Sequence, residues 1–590
     1  MLSRRTFLAM ATGGLAAATL PATTETPEAS AAPDIVLFLV DDMGWQDTGV
    51  PFWYPNNGKQ PRRTPLNERY QTPHQMRMAS EGMLFSAAYA QPVCSPTRVS
   101  LLTGMNAARH GVTNWVAGVN RAPSDGMRFE GYTEARWAVN GLQPPGTMLE
   151  GVTRNAFNWP SGEYPATAEV RYALNRPYCC AITLPMWLKR AGYATILAGK
   201  AHFGAGDGFA ETDAVTPGQN PRMLGFDVNL CGSHKGQPSA YRPESGAYYG
   251  GEVFGLEAQR AQGKMLTEAL TREALAAVEA QDPAKPVFLY LSHFALHTPH
   301  HDAAARHSRR EAREAPEDSL PWNALERNYC DLVEGIDASL GEVLDWAIDR
   351  KARTGREVLV LFAGDNGGLS EPGQRLGMGE NQGNWPLRAG KGSCYEGGIR
   401  VPLIAWMPQR IKAGSVCHAP VICEDLFATV LDYAGLGAIS PLDCAVTPPE
   451  GSVDGKARLQ QVDGISLRKV LEGGRSLEAM RPILIHYPNL WSGVPGAAYN
   501  CYTALRMGEW KLIWHHVSGE MELYNVVSDV SEAKNQAKKR PSLVAKLARE
   551  MCRLLQERGA QLPRLDGEPL ALPVTMDAHE HEFERKGDER

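Results

Sequence analysis

Four continuous apolar runs constrain the fold of this chain more than any other feature of its sequence. They are rich in branched aliphatic and aromatic residues, and they cover residues 34–40, 193–198, 287–291 and 358–362. A run that is apolar at nearly every position, not at every second one, is typical of a strand buried on both faces. Stretches with helical periodicity lie between them, over residues 184–191, 264–279 and 329–350. This alternation predicts an α/β fold whose large central sheet is mostly parallel and flanked by helices.

Polar and charged residues follow each predicted strand. In chain order they are Asp41 and Asp42, Lys200 and His202, His297, and Asp365 and Asn366. Because ligands bind beyond the carboxyl ends of the strands in such sheets, we expect these side chains to share one site. Carboxylate and amide oxygens are the ligands that a hard cation prefers. Taken singly, these groups allow other interpretations. The two aspartates could cap a turn, and His202 could be a core histidine beside a solvated Lys200. The segment of Asp365 and Asn366 could be a glycine turn.

A second feature is the run Cys-Ser-Pro-Thr-Arg that starts at Cys94. Pro96 suits the first position of a helix, and Ser95 or Thr97 could cap the exposed N–H groups. Cys94 would then lie just ahead of a helix N-terminus, where a bound anion is favoured, and Arg98 could point its guanidinium at the same spot. The residues alone also allow a buried structural cysteine with Arg98 on the surface.

The longer context of this run resembles the signature of the type I sulfatases. Cys94–Arg98 is followed by Leu-Leu-Thr-Gly at 101–104 and by Arg-His-Gly at 109–111. Three further segments are similar to elements of the same family: Gly-Lys-Ala-His-Phe-Gly at 199–204, His-Thr-Pro at 297–299, and Lys-Gly at 391–392 followed by Glu-Gly-Gly-Ile-Arg-Val-Pro at 396–402. The resemblance implies an alkaline-phosphatase-like fold and hydrolysis of sulfate esters.

The resemblance also implies two non-protein components. Cys94 would be oxidised to formylglycine by a formylglycine-generating or anaerobic sulfatase-maturating enzyme, and the hydrate of its aldehyde would be the nucleophile. Ca²⁺ would be bound by oxygen ligands from a set that the family resemblance picks out, namely Asp41, Asp42, Asp365, Asn366 and the modified residue 94.

Roles for the basic residues follow from the same resemblance. Arg98, Lys200 and Lys391 would surround the sulfuryl oxygens. His297 or Lys391 would protonate the leaving alcohol, and His202 would remove a proton from the remaining hydroxyl of the hydrate. Lys200, His297 and Lys391 are also expected to bind the substrate, together with His486, whose His-Tyr-Pro context resembles a feature of glycan sulfatases.

A sulfated saccharide is therefore the expected substrate, and three alternatives remain. The first is an arylsulfatase acting on small aryl sulfates. The second is a phosphate or phosphonate monoester hydrolase of the same superfold, although the Asp/Asn set lacks the several histidines of zinc phosphatases. The third is a non-enzymatic binder of sulfated glycans in which Cys94 stays unconverted.

Charge and the N-terminal segment bear on partners and location. The chain carries 60 basic and 66 acidic residues, a net charge of −6, which argues against a general nucleic-acid or membrane-surface binder. The pair Arg4-Arg5, a short apolar run to Leu20 and Ala-Ser-Ala at 29–31 predict a cleaved, twin-arginine-like signal peptide over residues 1–32. We therefore expect a periplasmic or secreted protein without stable membrane insertion.

The remaining chain divides into three predicted segments. A catalytic domain is expected over residues 33–440, followed by a C-terminal α+β subdomain over 441–565 and a polar tail over 566–590. Alternating patterns predict antiparallel strands in the subdomain at residues 481–488, 501–507, 510–515 and 522–525, with a packed helix at 541–557.

Overall fold

A computed structural model describes most of the chain from Ala32 onwards, and these residues form one compact unit. The described residues are 32–116, 128–129, 132–133, 140–143, 178–204, 221–243, 255–300, 324–369, 384–437, 445–446, 458–474, 477–478, 480–490, 500–565 and 568–573. The predicted signal peptide lies almost wholly outside these ranges, as does most of the polar tail.

Within the described residues, the central sheet has eight strands of three to seven residues. In chain order they are β1 (Asp34–Val40), β2 (Met83–Phe85), β3 (Ala194–Gly199), β4 (Val228–Leu230), β5 (Val287–His293), β6 (Val358–Gly364), β7 (Leu403–Trp406) and β8 (Ser415–Cys417). Their order across the sheet is β8-β2-β7-β6-β1-β5-β3-β4. The pairs β6-β1, β1-β5, β5-β3 and β3-β4 are parallel, whereas β7 is antiparallel to both of its neighbours. The prediction of a large, mostly parallel sheet is confirmed.

Helices cover both faces of this sheet. The described helices are α1 (Pro65–Arg69), α2 (Pro73–Glu81), α3 (Cys94–Thr103), α4 (Ala107–His110), α5 (Leu184–Arg190), α6 (Glu257–Ala261), α7 (Leu266–Glu279), α8 (Ala324–Thr354), α9 (Glu396–Ile399), α10 (Glu424–Tyr433), α11 (Arg468–Leu471) and α12 (Pro541–Arg558). Within the described residues, no helix combines the length and the apolar character that crossing a membrane requires.

Strand β1 shows why these apolar runs form the centre of the fold. Its odd positions, Ile35, Leu37 and Leu39, pack in one hydrophobic cluster, together with residues of α3, α5 and α10. Its even positions, Val36, Phe38 and Val40, pack in a second cluster with residues of α2, α7 and α8. Both faces of the strand are therefore buried, and this accounts for the continuous apolar pattern.

A second sheet follows in the C-terminal part of the chain. Its strands β9 (Ile483–Leu490), β10 (Asn500–Met507), β11 (Trp510–His515) and β12 (Met521–Asn525) pair in that order, all antiparallel. One face packs on α12 through Leu505, Leu512 and Trp514, and the other face joins the hydrophobic cluster of the main body. The predicted antiparallel sheet with its helix is thus present, and its start near residue 441 stays a prediction.

Smaller ribbons complete the described secondary structure. They pair Ala88–Tyr89 with Arg400–Val401 and Val421–Ile422, Arg128–Phe129 with Tyr132–Thr133, Arg564–Leu565 with Tyr132–Thr133 and Glu568–Pro569, Asn140–Gln143 with Tyr178–Cys180, and Ala445–Val446 with Arg458–Leu459. Single turns of 3₁₀ helix lie at Pro55–Asn57, Pro221–Leu224 and Ala537–Lys539.

The register of the parallel strands brings their carboxyl ends level. Val40 of β1 pairs with His293 of β5 on one side and with Gly364 of β6 on the other. Ser292 of β5 pairs with Gly199 of β3. The residues that come next in the chain after these strands therefore begin at the same edge of the sheet.

Gly199 shows how tightly this edge of the central sheet is packed. It adopts φ +101°, and a Cβ placed there would lie 1.9 Å from the Ser292 carbonyl oxygen, whereas Gly192 at φ +85° has open space around that position. Both alanine variants incur the strain of positive φ, about 1–3 kcal/mol, and only Gly199→Ala adds a backbone clash. We expect urea denaturation to show a loss above about 3 kcal/mol for Gly199→Ala and about 1 kcal/mol for Gly192→Ala. Equal losses would contradict this account.

Candidate active site

Three buried aspartates form the centre of the edge where β1 and β6 end. Asp41, Asp42 and Asp365 each place a carboxylate oxygen within 4.8 Å of the others. The Asp42 backbone N–H donates to Asp365 Oδ1 over 3.1 Å, which joins the two strand ends directly. Asp42 adopts φ +57°, a conformation that is uncommon for a residue with a side chain and that is often found at functional sites.

Two lysines pair with different aspartates of this acid cluster. Lys200 Nζ lies 2.6 Å from Asp41 Oδ2, and Lys391 Nζ lies 2.6 Å from Asp42 Oδ1. Burial raises the pKa of the Asp41 carboxyl well above its ordinary value. For Asp42, burial is the largest influence and opposes ionisation, but the neighbouring basic groups, Lys391 foremost, together outweigh it and hold the pKa below the ordinary value. Burial is also the largest influence on Lys391, but the neighbouring acidic groups, Asp42 foremost, together outweigh it and raise the pKa of the ammonium group.

Arg98 is fully buried, which excludes the alternative that places it on the surface. Its Nε and Nη2 donate to Asp365 Oδ2 over 3.0 and 2.7 Å. Its Nη1 donates to the Lys200 carbonyl over 2.9 Å and to Ser292 Oγ over 2.6 Å. Every guanidinium nitrogen therefore has a protein acceptor, and Arg98 holds the ends of β3, β5 and β6 together. These bonds orient the guanidinium within the protein, and its predicted contact with the sulfuryl oxygens stays a prediction.

Helix α3 begins at Cys94, two residues earlier than the Pro96 start that the sequence predicts. Its N-cap is Val93, without a side-chain cap. The two hydroxyls expected to cap the helix bond elsewhere: Thr97 Oγ1 accepts from the Gln91 N–H, and Ser95 Oγ accepts from the Val116 N–H. Cys94 therefore belongs to the first helical turn and is 2% exposed.

His202 contacts Cys94 and is oriented by a backbone carbonyl. Cys94 Sγ lies 3.2 Å from His202 Nδ1, and His202 Nε2 lies 2.8 Å from the Val116 carbonyl oxygen. A carbonyl can only accept, so Nε2 carries the proton and the lone pair of Nδ1 faces residue 94. Burial, with the Lys200 charge, lowers the pKa of His202 well below its ordinary value, which keeps the ring neutral.

His297 lies at the more open side of the cluster. Its Nε2 is 3.7 Å from Asp42 Oδ2, and its side chain keeps 14% of its surface exposed, against 1% for Asp42. Burial and the Lys391 charge lower the pKa of His297 well below its ordinary value. A neutral imidazole at this position can bind or orient a group that approaches from outside.

The acid cluster has the oxygen donors that a hard cation needs. Asp41 Oδ1, Asp42 Oδ2 and Asn366 Oδ1 are buried and have no hydrogen-bond donor in the described structure. Asn366 donates its amide to Asp42 Oδ1 and to the Gly367 carbonyl, which leaves the amide oxygen as the free end. Buried oxygens without a donor are costly, and a cation with several oxygen ligands satisfies them. These residues therefore fit a Ca²⁺ site.

The contacts of His486 do not support its predicted role in substrate binding, which stays a prediction. Its ring is fully buried in the C-terminal sheet, with Nδ1 2.9 Å from Thr503 Oγ1 and Nε2 2.8 Å from the Gln561 carbonyl. Both ring nitrogens already have partners, so His486 does not offer one to a substrate. His293 and His300 also bond within the protein, to Ser339 Oγ and to the Leu296 carbonyl.

Sequence reasoning missed two groups that orient the site. Ser292 Oγ accepts a hydrogen bond from Arg98. The signal that could have identified Ser292 is its position as the first polar residue after the apolar run of β5. The Val116 carbonyl fixes the tautomer of His202. Because this is a backbone group, the pattern of residues contains no signal for it.

The sequence profile of the sulfatase family matches residues 33–126 and 178–436, more than half of the chain, and this region includes the acid cluster, Cys94 and both histidines. The chain belongs to the sulfatase family. As a sulfatase it is an enzyme, and the resemblance of its motifs to that family is confirmed.

Two relatives and one solved structure describe how far the similarity extends. An N-acetylgalactosamine-6-sulfatase from Mus musculus is 29% identical over 496 residues, covering 81% of this sulfatase and 73% of the relative. A sulfatase from Formosa agariphila is 26% identical over 578 residues, 90% and 89% of the two chains. The structure of a putative sulfatase from Bacteroides fragilis matches with a TM-score of 0.58 at 17% identity, covering 94% and 100% of the chains, a likeness of fold.

The burial of His486 makes the stability of this sulfatase sensitive to acid. Burial lowers the pKa of His486 from 6.5 to about 4. Between these values the unfolded chain binds a proton that the folded chain does not, so this part of the stability is complete above pH 6.5 and is lost as the pH falls towards 4.

We expect His486→Asn to lower the free energy of unfolding at pH 7.5, because it removes a packed ring. The deficit relative to wild type should shrink by on the order of 2 kcal/mol at pH 4.5, because the variant lacks the proton-linked loss. Urea denaturation at both pH values measures it. A deficit that is the same at both pH values would show that His486 is not held neutral by the fold.

Proposed function

We propose that this sulfatase removes sulfate from a sulfated carbohydrate, with a formylglycine at position 94 and Ca²⁺ at the acid cluster. The main observation behind the proposal is that Cys94 lies in the first turn of α3, where its Sγ contacts Nδ1 of His202. The carboxylates of Asp41, Asp42 and Asp365 lie at the same edge of the sheet. When present, formylglycine supplies a hydrated aldehyde as nucleophile, and the cation supplies a Lewis acid.

Cys94 Sγ stands in this structure where conversion would put an oxygen on Cβ. His202 Nδ1, 3.2 Å from Sγ, is then within reach of a hydroxyl on that carbon. Its neutral ring can accept a proton there, and the Val116 carbonyl stabilises the imidazolium that results. His202 is accordingly the base of the proposed reaction.

The charges around His297 and Lys391 favour Lys391 as the proton donor. His297 is kept neutral by burial, whereas Lys391 holds its proton because Asp42 Oδ1 lies 2.6 Å away. Asp42 would share its charge with a bound cation, its hold on the Lys391 proton would then be weaker, and burial would favour release of that proton from the ammonium group. We assign Lys391 to protonation of the leaving alcohol and His297 to binding at the open side.

Burial of Cys94 also constrains when it is converted. Every residue of α3 is buried, so a maturation enzyme can reach Cys94 only before this helix packs. Conversion in the cytosol followed by export of the folded protein is consistent with the predicted twin-arginine signal, and we propose this route to the periplasm or the exterior.

The carbohydrate part of the proposal rests on the relatives. The Mus musculus relative is named for the 6-sulfate of N-acetylgalactosamine, and its similarity extends over 81% of this chain. We infer a sulfated sugar as the substrate class and leave arylsulfates and phosphate monoesters as outcomes of the assay.

Cys94→Ala removes the precursor of the nucleophile. We expect at least about a thousandfold loss of turnover on sulfated N-acetylgalactosamine, with a stability change of about 1 kcal/mol because only one sulfur is removed. Cys417→Ala, at a buried thiol that ends β8, is the matched control and should keep full turnover.

The same assay includes an aryl sulfate and an aryl phosphate, with mass spectrometry of the peptide that contains residue 94. Turnover by Cys94→Ala, or activity in a protein whose residue 94 is entirely cysteine, would refute the nucleophile. Faster turnover of the phosphate than of every sulfate would refute the reaction class.

Calcium binding can be tested without activity. After treatment with a chelator, added Ca²⁺ should raise the thermal midpoint by several degrees, because a ligand that binds only the folded state stabilises it. Asp42→Asn, which removes a charged ligand, should abolish most of this rise. Asp227→Asn changes a carboxylate that pairs with Lys189 beside β4 and should leave the rise intact. An unchanged rise in Asp42→Asn would place the cation elsewhere.

A further inference from the structure

Two buried tyrosines of the C-terminal sheet reach the segments that hold the active site. Tyr487 on β9 and Tyr502 on β10 are directly paired across the strands, and their ring centroids lie 5.4 Å apart. Both are 0% exposed. Their hydroxyls bond to two different segments of the main body, one that precedes Val116 and one that follows Lys391.

Tyr502 fixes the segment of Lys391. Its hydroxyl donates to the Gly392 carbonyl over 3.0 Å. The Gly392 N–H donates in turn to the Pro92 carbonyl over 2.7 Å, two residues before Cys94, and the Lys391 N–H donates to the Gly368 carbonyl over 3.1 Å. This segment lies outside helices and strands, so these three bonds, one of them from the Tyr502 side chain, fix the backbone that carries Lys391.

Tyr487 fixes the segment that orients His202. Its hydroxyl donates to Asn114 Oδ1 over 3.0 Å, and the same oxygen accepts from the Trp115 N–H over 2.9 Å. The next residue, Val116, donates its N–H to Ser95 Oγ and accepts from His202 Nε2 through its carbonyl. A displacement of this turn would loosen the bond that fixes the His202 tautomer.

We propose that Tyr487 and Tyr502 are positioning residues, through which the C-terminal sheet sets the placement of the His202 base and of Lys391. Neither tyrosine is assigned contact with substrate; each acts through one hydrogen bond to a segment that carries a reacting group. The inference rests on the proposed function for its kinetic part, and on the contacts alone for its structural part.

Phenylalanine variants test it, because they remove only the hydroxyl. Tyr502→Phe should lower kcat and raise KM, since Lys391 both binds the substrate and donates the proton, with kcat/KM falling about tenfold or more. Tyr487→Phe should lower kcat about tenfold with little change in KM, since His202 acts after substrate binding. Sulfated N-acetylgalactosamine is the probe.

Tyr193→Phe is the matched control. Tyr193 is 3% exposed, and its hydroxyl donates to the Pro33 carbonyl over 2.8 Å, at the opposite end of the central sheet from the acid cluster. We expect it to lose about as much thermal stability as the other two variants, with kcat and KM within twofold of wild type.

Hydrogen–deuterium exchange gives a readout that does not need activity. We expect faster exchange in the peptide around residues 111–116 for Tyr487→Phe and in the peptide around 388–395 for Tyr502→Phe, and no change in either peptide for Tyr193→Phe. Unchanged exchange, or kinetics equal to those of Tyr193→Phe, overturns the positioning role. Local exchange changes in a protein whose wild type hydrolyses no sulfate ester support the positioning role and refute the proposed function instead.

Discussion

The active-site edge depends on one buried contact, that of the Arg98 guanidinium with Asp365. Both side chains are fully buried, and their shortest N–O distance is 2.7 Å. Burying either charge alone costs several kcal/mol, so the pair is stable only because each compensates the other and Arg98 has further acceptors on β3 and β5. Through this contact α3 is fixed to three strand ends at once. The position of Cys94, one helical turn before Arg98, follows from it.

The charges around Arg98 explain how acids and amines coexist in so small a volume. Asp41, Asp42 and Asp365 each face a buried cation, namely Lys200, Lys391 and Arg98 respectively. The protein charges nearly balance, and yet carboxylate and amide oxygens remain without a donor. A divalent cation at those oxygens would make the cluster positive and suited to an anionic sulfate ester. In the proposed reaction the carboxylates would hold the cation, and the lysines would interact with the anion.

The central sheet and most of the candidate site could be predicted from sequence because their signals are local. β1, β3, β5 and β6 carry continuous apolar runs, and the residues after them bear the chemistry. Other features depend on long-range contacts. One is the end of α2 at Glu81: the missing side chain of Gly82 allows approach to the Ala405 carbonyl, and Met83–Phe85 joins the sheet beside β7. The direction of Arg98 and the burial of His486 also depend on partners far away in the chain, since Asp365 is 267 residues from Arg98 and Gln561 is 75 residues from His486.

The C-terminal sheet is best understood as part of the active-site scaffold. Its inner face shares the hydrophobic cluster of the main body, and a buried charge network crosses the same boundary. Lys511 of β11 lies 2.9 Å from Glu396 Oε1 and 2.7 Å from Glu532 Oε1, and the Glu396 N–H donates to Glu532 Oε2. Glu396 opens α9, five residues after Lys391. Glu396 also pairs with Arg400 over 3.3 Å, but the two carboxylates share Lys511, and a displacement of the second sheet would take this buried charge away from both. The segment that carries Lys391 is thus held between the strand edge and the second sheet, and the geometry of the reaction depends on both.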